Sequence, residues 1–144
     1  MQDDASMPLA DLPDVNPLTS KIIKAAIEVH RTLGPGLFES TYLACLIHEI
    51  RAADLSYEAQ KAVPLVYKNI TLECGYRVDL IVQGTVVVEV KALEQIAPVH
   101  RAQLKTYLIL TGCPAGLLIN FNVPILKEGV TRVLNTKNEG PVSS

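Results

Sequence analysis

Residues 75–91 read GYRVDLIVQGTVVVEVK, two apolar runs joined by Gln83-Gly84. Both runs are rich in the β-branched and aliphatic residues that strands favour, and a short segment ending in glycine is typical of a hairpin turn. Three charged residues interrupt this apolar pattern: Asp79 in the first run, and Glu89 and Lys91 in the second. The stretch therefore predicts a largely buried β-hairpin that carries a small charged group.

Side chains alternate between the two faces of a strand, so Glu89 and Lys91 share one face of the second run. A glutamate and a lysine in this arrangement most often form an ordinary salt bridge on an exposed face. The pair alone is therefore weak support for a catalytic site. A third charged group, Asp79, strengthens it if the hairpin brings Asp79 to the same face.

Loop length sets the register of this hairpin. A two-residue loop would place Asp79 opposite Val88, on the other face from Glu89. A three-residue loop, residues 82–84, would place Asp79 opposite Val87, and Asp79 would then share the face of Glu89. We favour the three-residue loop, because glycine at its third position supplies the left-handed conformation of a G1 bulge.

Two carboxylates at diagonal positions on neighbouring strands are about 7 to 8 Å apart at their roots, within reach of one ion. Oxygen ligands without His or Cys favour Mg²⁺ or Mn²⁺. We therefore expect Asp79 and Glu89 to bind such an ion, with the Val90 carbonyl as a further ligand. Lys91 would orient or help to deprotonate an attacking water, as in a phosphodiester hydrolase.

The rest of the chain predicts an α/β fold with one mixed, mostly antiparallel central sheet flanked by helices. Apolar residues recur at helical spacing in three segments, and short β-type runs lie between them. Neither end of the chain offers apolar periodicity to bury. The predicted organisation is a disordered arm over residues 1–15, a domain over 16–134 and a disordered tail over 135–144, with helices over 16–33, 39–53 and 98–110.

Composition restricts the classes of function. The 144 residues suit a single domain, and no apolar run approaches the roughly 20 residues of a membrane span. The three cysteines, Cys45, Cys74 and Cys113, are too scattered for a zinc cluster or a disulfide framework, so we expect a cytoplasmic protein without membrane contact.

Charge argues against tight DNA binding by a solitary chain. The 13 Lys and Arg residues are outnumbered by 15 Asp and Glu residues, for a formal net charge of −2. A locally basic face, a homodimer or a partner within a larger protein complex would supply the missing attraction.

Two segments resemble a known family. Asp79 followed by Glu89-Val90-Lys91 resembles the active-site signature of the PD-(D/E)XK nuclease superfamily, and residues 36–42 match G-x-x-E-x-x-Y, which names a family of small bacterial proteins assigned to that superfamily. The resemblance to that family runs from about Thr19 to Leu134. It implies a restriction-endonuclease-like core and metal-dependent hydrolysis of nucleic acid, with DNA expected and RNA not excluded.

The resemblance also implies roles for residues outside the hairpin. Glu39 would point to the metal, although an acidic residue at a helix N-terminus is also favoured by the helix dipole. Gln103 and Tyr107 correspond to a Q-x-x-x-Y helix, in which Gln103 would bind water or phosphate and Tyr107 would shape the pocket. A surface glutamine and a tyrosine at the edge of the core are the alternative. Weaker candidates for nucleic-acid contacts are Arg77, Arg101 and Lys105. For Arg101 and Lys105 we prefer the reading as ordinary solvated surface charges over a contact with phosphate.

Two positions depart from the family pattern. Val78 stands in place of the proline in the superfamily's name, at a position that supplies no ligand. Leu43 stands where a second acidic residue often follows the tyrosine, which favours a single metal ion. A catalytically inactive module, binding nucleic acid or a protein partner on a nuclease-like scaffold, is the alternative function.

Overall fold

The computed structural model describes residues 15–136. The predicted arm and tail therefore lie outside the described residues, apart from the positions next to the domain. At the carboxyl end, Asn135 and Thr136 are buried, although the sequence places them in the tail. The Asn135 side-chain amide donates to the carbonyls of Leu108 and Cys113, at 3.0 and 2.9 Å, and these bonds hold the chain end against the domain.

Helix α1 spans Asn16–Leu33 and has a proline in its first turn, where the missing N–H has no helical partner to lose. Its buried residues include Ile22, Ala26 and Val29, which share one face at helical spacing. The helix ends at Gly34, as predicted. The N-cap position is occupied by Val15 rather than by Asn16, a shift of one residue.

Helix α2 spans Glu39–Ala52 and packs with α1 against one face of the sheet. Helix α3, Pro98–Thr111, covers the other face through Leu104 and Leu108. All three predicted helices are confirmed, with ends that differ by no more than one residue. Within residues 15–136, none of the helices combines the length and hydropathy that a membrane-spanning helix requires.

Five strands form the central mixed sheet, in the order β1-β4-β5-β6-β7. All neighbours are antiparallel except β5 and β6, which run parallel because α3 connects them. The predicted α/β class and mixed sheet are confirmed. The strands are β1 Tyr57–Ala62, β2 Leu65–Tyr67, β3 Ile70–Leu72, β4 Arg77–Val82, β5 Val86–Lys91, β6 Ala115–Asn120 and β7 Val130–Leu134, and a 3₁₀ turn occupies Leu126–Gly129.

Two of the short strands between α2 and α3 do not join the central sheet. Strands β2 and β3 pair only with each other, as a separate hairpin, and β1 pairs with β4 across them. Pro64 lies between β1 and β2 and has no N–H to continue a ladder. The β2–β3 hairpin consequently forms a separate two-stranded sheet.

Both registers considered for the β4–β5 hairpin are wrong. The ladder pairs Val82 with Val86, so that the loop is residues 83–85 and not 82–84. Gln83 and Gly84 both have positive φ, at 55° and 61°, the combination found in type I′ turns. The residue after this turn, Thr85, is left out of the ladder.

A contact from outside the hairpin holds this turn. The Gln83 N–H donates to the Ser56 carbonyl at 2.9 Å. The Gln83 side-chain oxygen in turn accepts the Ser56 N–H at 3.0 Å and the Ser56 hydroxyl at 2.7 Å. A non-glycine residue thus adopts a left-handed conformation at the tip of the hairpin. Continued past its last pair, this register would set Asp79 opposite Glu89.

The central strands of the sheet, β4, β5 and β6, are buried on both sides. One core cluster contains Leu80 and Val88 beneath α1 and α2, and the other contains Ile81 and Val87 beneath α3. Every residue of β6 is buried, as expected for a strand covered on both faces. The charged residues of β5 therefore lie at the end of a strand that is otherwise in the core.

Candidate active site

Strands β4 and β5 separate before either of them ends. Pairing between them stops at Leu80 and Val88, although β5 remains paired with β6, and β4 with β1, to the ends of both strands. The sheet therefore opens at this point. We call the opening the strand fork and define it by the three residues that follow the last pair, Asp79, Glu89 and Val90.

Carboxylates accept the main-chain donors at the strand fork. The Asp79 N–H donates to Glu89 Oε2 at 2.9 Å, and the Val90 N–H donates to Asp79 Oδ2 at 2.8 Å. The second oxygen of each carboxylate accepts no hydrogen bond within residues 15–136. Each acid thus has one oxygen that fixes its orientation and one that is available to a ligand.

Strand β1 changes conformation at the same level. Gln60 has a positive φ of 56°, and the β1–β4 ladder omits the pair that Gln60 and Asp79 would form. Arg77 Nη1 instead donates to the Gln60 carbonyl at 3.1 Å. The Asp79 N–H is consequently released from β1 and is taken by Glu89. Arg77, a predicted nucleic-acid contact, is exposed, and in this structure it stabilises the conformation of Gln60 next to the fork.

Asp79 and Glu89 meet through the open fork. Alternation with buried Val88 and Val90 places Glu89 on the α3 side of the sheet. Asp79 borders a cleft on the α2 side, where Leu80 also lies. The side chains therefore approach each other between the strands, which is not the shared sheet face that the sequence predicts.

Burial raises the pKa of both carboxylates. Glu89 is only 5% exposed, and this desolvation, together with the charge of Asp79, raises its pKa to about 8. The pKa of Asp79 is also raised, mainly by burial. Two desolvated like charges at one place are unfavourable unless a cation compensates them. Carboxylates with strongly shifted pKa values occur most often at functional sites.

Lys91 supplies part of that compensation from β5. It is half-buried and lies on the Glu89 side of the strand, and its charge lowers the pKa of both carboxylates. It forms no salt bridge with either of them, because the ion pairs within the described chain are the surface pairs Arg31–Glu28 and Lys61–Glu58. The Lys91 ammonium is therefore near the acids but is not bound to them.

Glu39 is the first residue of α2, where the helix dipole favours a carboxylate. It is exposed, and its Oε2 accepts the Ala92 N–H at 3.3 Å, just beyond β5. Glu39 and Asp79 border the same cleft of about 410 Å³ between α2 and the sheet. The charge of Glu39 also contributes to the raised pKa of Asp79.

The donor set suits a hard divalent cation. Asp79 and Glu89 offer oxygen atoms only, which is the preference of Mg²⁺ and Mn²⁺, and a cation would relieve their repulsion. Between residues 15 and 136, no three His, Cys, Asp or Glu side chains are gathered closely enough to hold an ion as they stand. The third predicted acid, Glu39, is directed to Ala92 instead.

Gln103 and Tyr107 line a second cleft, of about 290 Å³, between α3 and the β2–β3 hairpin. Tyr107 is 4% exposed, and its pKa is raised by burial and then by the charges of Glu89 and Asp79. The phenol therefore stays protonated at neutral pH and lies close to the strand fork. Tyr107 also belongs to the core cluster beneath α3, as the alternative reading of a tyrosine at the edge of the core expects, and its role in the pocket stays a prediction.

The two basic residues of α3 lie away from this cleft. Arg101 and Lys105 are each two residues from Gln103, which corresponds to roughly 200° around a helix. Neither lines the cleft with Gln103 and Tyr107. Contacts of Arg101 and Lys105 with phosphate remain a prediction, and they would be made on a different side of α3 from the cleft.

Asn120 is a site residue that sequence reasoning missed. It is 3% exposed and pairs with Lys91 in the parallel ladder at the end of β6. Its side-chain oxygen accepts the Leu93 N–H and its amide donates to the Leu93 carbonyl, each at 2.9 Å. Asn120 thus holds the chain that leaves β5 after Lys91. The signal that could have identified it is a polar asparagine at the end of the apolar run AGLLIN.

Replacing Asn120 with alanine is expected to lower the free energy of unfolding by about 2–3 kcal/mol, because the Leu93 N–H loses its partner and the Leu93 carbonyl loses the stronger of its two hydrogen bonds. Chemical denaturation measures this change. Asn122→Ala is the matched control, since its side chain contributes one weak bond, 3.4 Å from the Leu93 carbonyl. Equal effects of the two substitutions would contradict the role of Asn120.

Tyr42 was also missed, although it is the tyrosine of the G-x-x-E-x-x-Y segment. It is completely buried, and its ring stacks on Phe121 with centroids 4.6 Å apart. Its hydroxyl donates to the Gly34 carbonyl at 2.6 Å and accepts the Leu37 N–H at 3.1 Å. Tyr42 therefore holds the turn before α2 and, with it, the position of Glu39.

Comparison with known protein families agrees with this geometry. The family model of the PD-(D/E)XK nuclease superfamily matches residues 16–133. No curated protein and no solved structure is significantly similar to the chain. The family match spans all three helices and, except for the last residue of β7, the whole central sheet, including both strands of the fork. The chain belongs to the PD-(D/E)XK nuclease superfamily.

Proposed function

We propose that this protein is a metal-dependent nuclease that hydrolyses phosphodiester bonds in nucleic acid, with DNA as the expected substrate. The observation that carries the proposal is the strand fork. The buried Glu89 and the half-buried Asp79 are held together there with raised pKa values and without a salt bridge. Such a pair destabilises the metal-free fold, as functional groups often do, and a bound cation would compensate its charge.

Asp79 and Glu89 would hold Mg²⁺ or Mn²⁺ through their available oxygens, with the Val90 carbonyl and Glu39 as further ligands. A bound divalent ion supplies positive charge to the phosphate and lowers the pKa of water. Lys91 would orient the attacking water or help to remove its proton. Gln103 would bind the water or a phosphate oxygen, and Tyr107 would close the wall of the pocket as a protonated phenol.

We further infer membership of the bacterial GxxExxY family within the superfamily, from Gly36, Glu39 and Tyr42. Arg77, Arg101 and Lys105 are weaker candidates for contacts with the nucleic-acid backbone. We expect the protein to act in the cytoplasm, where its free cysteines would remain reduced. A homodimer or a larger complex would provide the basic surface that a chain with a net charge of −2 lacks.

The second candidate function is a nuclease-like module that binds nucleic acid or a protein and cleaves neither. The acidic balance of charge favours it, because duplex binding depends largely on basic side chains. Retention of Asp79, Glu89 and Lys91 together at the fork favours catalysis.

Lys91→Ala is expected to slow cleavage by about 10²- to 10⁴-fold, the usual contribution of proton transfer or water orientation by one side chain. Single-stranded and duplex DNA and RNA are incubated with the purified protein and with Mg²⁺ or Mn²⁺, and the products are separated by size. Lys61→Ala is the matched control, because Lys61 is exposed on β1 and pairs with Glu58.

Identical product yields from the wild type and Lys91→Ala would show that the fork is not catalytic. Absence of cleavage by the wild type on all four substrates, with binding preserved, would favour the inactive module. Cleavage that continues after removal of divalent ions by a chelator would contradict the metal requirement.

A further inference from the structure

The cleft between α3 and the β2–β3 hairpin has a composition unlike that of the strand fork. We call it the hairpin groove and define it by Leu65, Tyr76, Val99, Gln103, Thr106 and Tyr107, which are among its lining residues. Its volume is about 290 Å³, and none of the residues that line it is charged. The groove is therefore suited to a neutral, largely apolar group.

Tyr107 joins the hairpin groove to the fork. It lines the groove and also packs in the core cluster that contains Val78 and Val87. Val78 immediately precedes Asp79, and Val87 is two residues before Glu89 on the same side of β5. A ligand in the groove would thus lie against a tyrosine that packs in the same cluster as Val78 and Val87 and that feels the charges of Glu89 and Asp79.

Tyr76 provides an aromatic surface at the groove. Its ring meets Tyr107 edge-on, at 66° with centroids 6.4 Å apart. Tyr76 is nevertheless 44% exposed, so much of its ring remains available for stacking. Nucleobases stack on such rings irrespective of sequence, because every base has a π-face.

Polar groups in the groove match the edge of a base. Gln103 is half-buried and makes no hydrogen bond within residues 15–136, and its amide offers both donors and acceptors. Thr106 adds a hydroxyl one helical turn from Gln103. A few polar groups in an apolar wall are typical of small-molecule sites.

We propose that the hairpin groove binds one unpaired nucleobase of the substrate strand, next to the phosphodiester bond at the fork. The inference rests on the proposed nuclease function and specifies its substrate class as single-stranded or locally unpaired nucleic acid. A base within a duplex is stacked on both faces and paired at its edge, so it cannot enter the groove. Stacking also supplies affinity to a chain whose net charge is −2.

The test compares two strands that differ only in their bases. The full-length protein is titrated into a fluorescent thymidine dodecamer and into an abasic strand of equal length, with Ca²⁺ in place of Mg²⁺. Fluorescence anisotropy reports binding. We expect the abasic strand to bind about 5- to 150-fold more weakly, as loss of one stacked base predicts. The duplex dodecamer is expected to bind more weakly than the single strand as well.

Tyr76→Ala is expected to remove most of the difference between the two strands, and Tyr76→Phe to retain it. Tyr67→Ala is the matched control, because Tyr67 is a 56% exposed tyrosine of the β2–β3 hairpin that does not line the groove. Val99→Glu is a second test at a residue that is 66% exposed, so the fold tolerates it while the groove gains a negative charge. Circular dichroism confirms that each variant is folded.

Equal binding of the thymidine and abasic strands by the wild type would overturn the proposal. So would a wild-type preference in both Tyr76→Ala and Val99→Glu. A change in light-scattering mass in Tyr76→Ala, with unchanged strand binding, would assign the groove to a second copy of the chain and also overturn it. Base-dependent binding without cleavage of any substrate in Mg²⁺ would contradict the nuclease proposal and leave the groove as a site that binds an unpaired base.

Discussion

Replacing Glu89 with glutamine is expected to stabilise the metal-free protein at pH 9 and to abolish its ion binding. The pKa of Glu89 is raised from 4.5 to about 8 in the folded state, so the fold prefers the protonated acid. The contribution of Glu89 to stability is then greatest below pH 4.5 and falls as the pH rises to about 8, because the unfolded chain releases the proton first. The neutral amide removes this loss, which amounts to a few kcal/mol.

Urea denaturation between pH 4 and pH 9, with chelator present, measures the difference. The wild type should lose stability over this range, and Glu89→Gln should lose much less, with a remaining slope from Asp79, whose pKa is also raised. Glu94→Gln is the control, because Glu94 is exposed in the loop after β5. Parallel profiles of the wild type and Glu89→Gln would contradict the burial of an ionised Glu89.

The same substitution should remove the heat of Mn²⁺ binding in a calorimetric titration, as should Asp79→Asn. Cleavage is expected to fall by more than about 100-fold in both variants, since loss of even an outer-shell partner of a metal has effects up to that size. A metal that binds only the folded state also stabilises the wild type by mass action. Stabilisation by Mn²⁺ that persists in Glu89→Gln would place the ion elsewhere.

Tyr42→Ala is expected to lower the free energy of unfolding by about 3–5 kcal/mol, the usual cost of deleting a buried aromatic ring. Tyr42 is completely buried and stacks on Phe121. Tyr42→Phe keeps the ring and removes only the hydroxyl that bonds to Gly34 and Leu37. Its expected cost is about 1–3 kcal/mol, the effect of leaving buried polar groups unpaired.

Denaturant midpoints test this order of stabilities, provided that the dependence of the unfolding free energy on denaturant concentration is the same in each variant. The exposed Tyr67→Ala serves as the reference, with a change expected within about 0.5 kcal/mol. If Tyr42→Ala unfolds at the wild-type denaturant concentration, the stacked and hydrogen-bonded arrangement does not exist. Reduced activity of Tyr42→Phe at a temperature where it stays folded would link the turn before α2 to the position of Glu39.

Local regularities made most of the elements predictable. The helical spacing of apolar residues from Ile22 to Leu33 and the flanking glycine indicated α1, and the alternation around Glu89 indicated a strand. These patterns depend on neighbours a few residues apart, because helix and strand periods repeat within one element. The resemblance of Asp79, Glu89 and Lys91 to a nuclease signature needed only their order along the chain, and it led to the superfamily that the family comparison confirms.

The opening of the sheet was not predictable in the same way. It depends on where the β4–β5 ladder stops and on the left-handed Gln60, which releases the Asp79 N–H to Glu89. The register itself depends on the contact between Gln83 and Ser56, which are 27 positions apart. Hairpin sequence alone favoured a different pairing, since turn propensities do not include bonds from a distant strand.

The sequence by itself determined the order of helices and strands, the α/β class and the residue types of the candidate site, because each of these follows from short-range periodicity and motif order. Only the tertiary structure decided that Asp79 and Glu89 meet through an open fork, that Tyr42 and Asn120 hold the segments around it, and that Tyr76 faces Tyr107. These features result from hydrogen bonds and packing between distant segments, which no local pattern encodes.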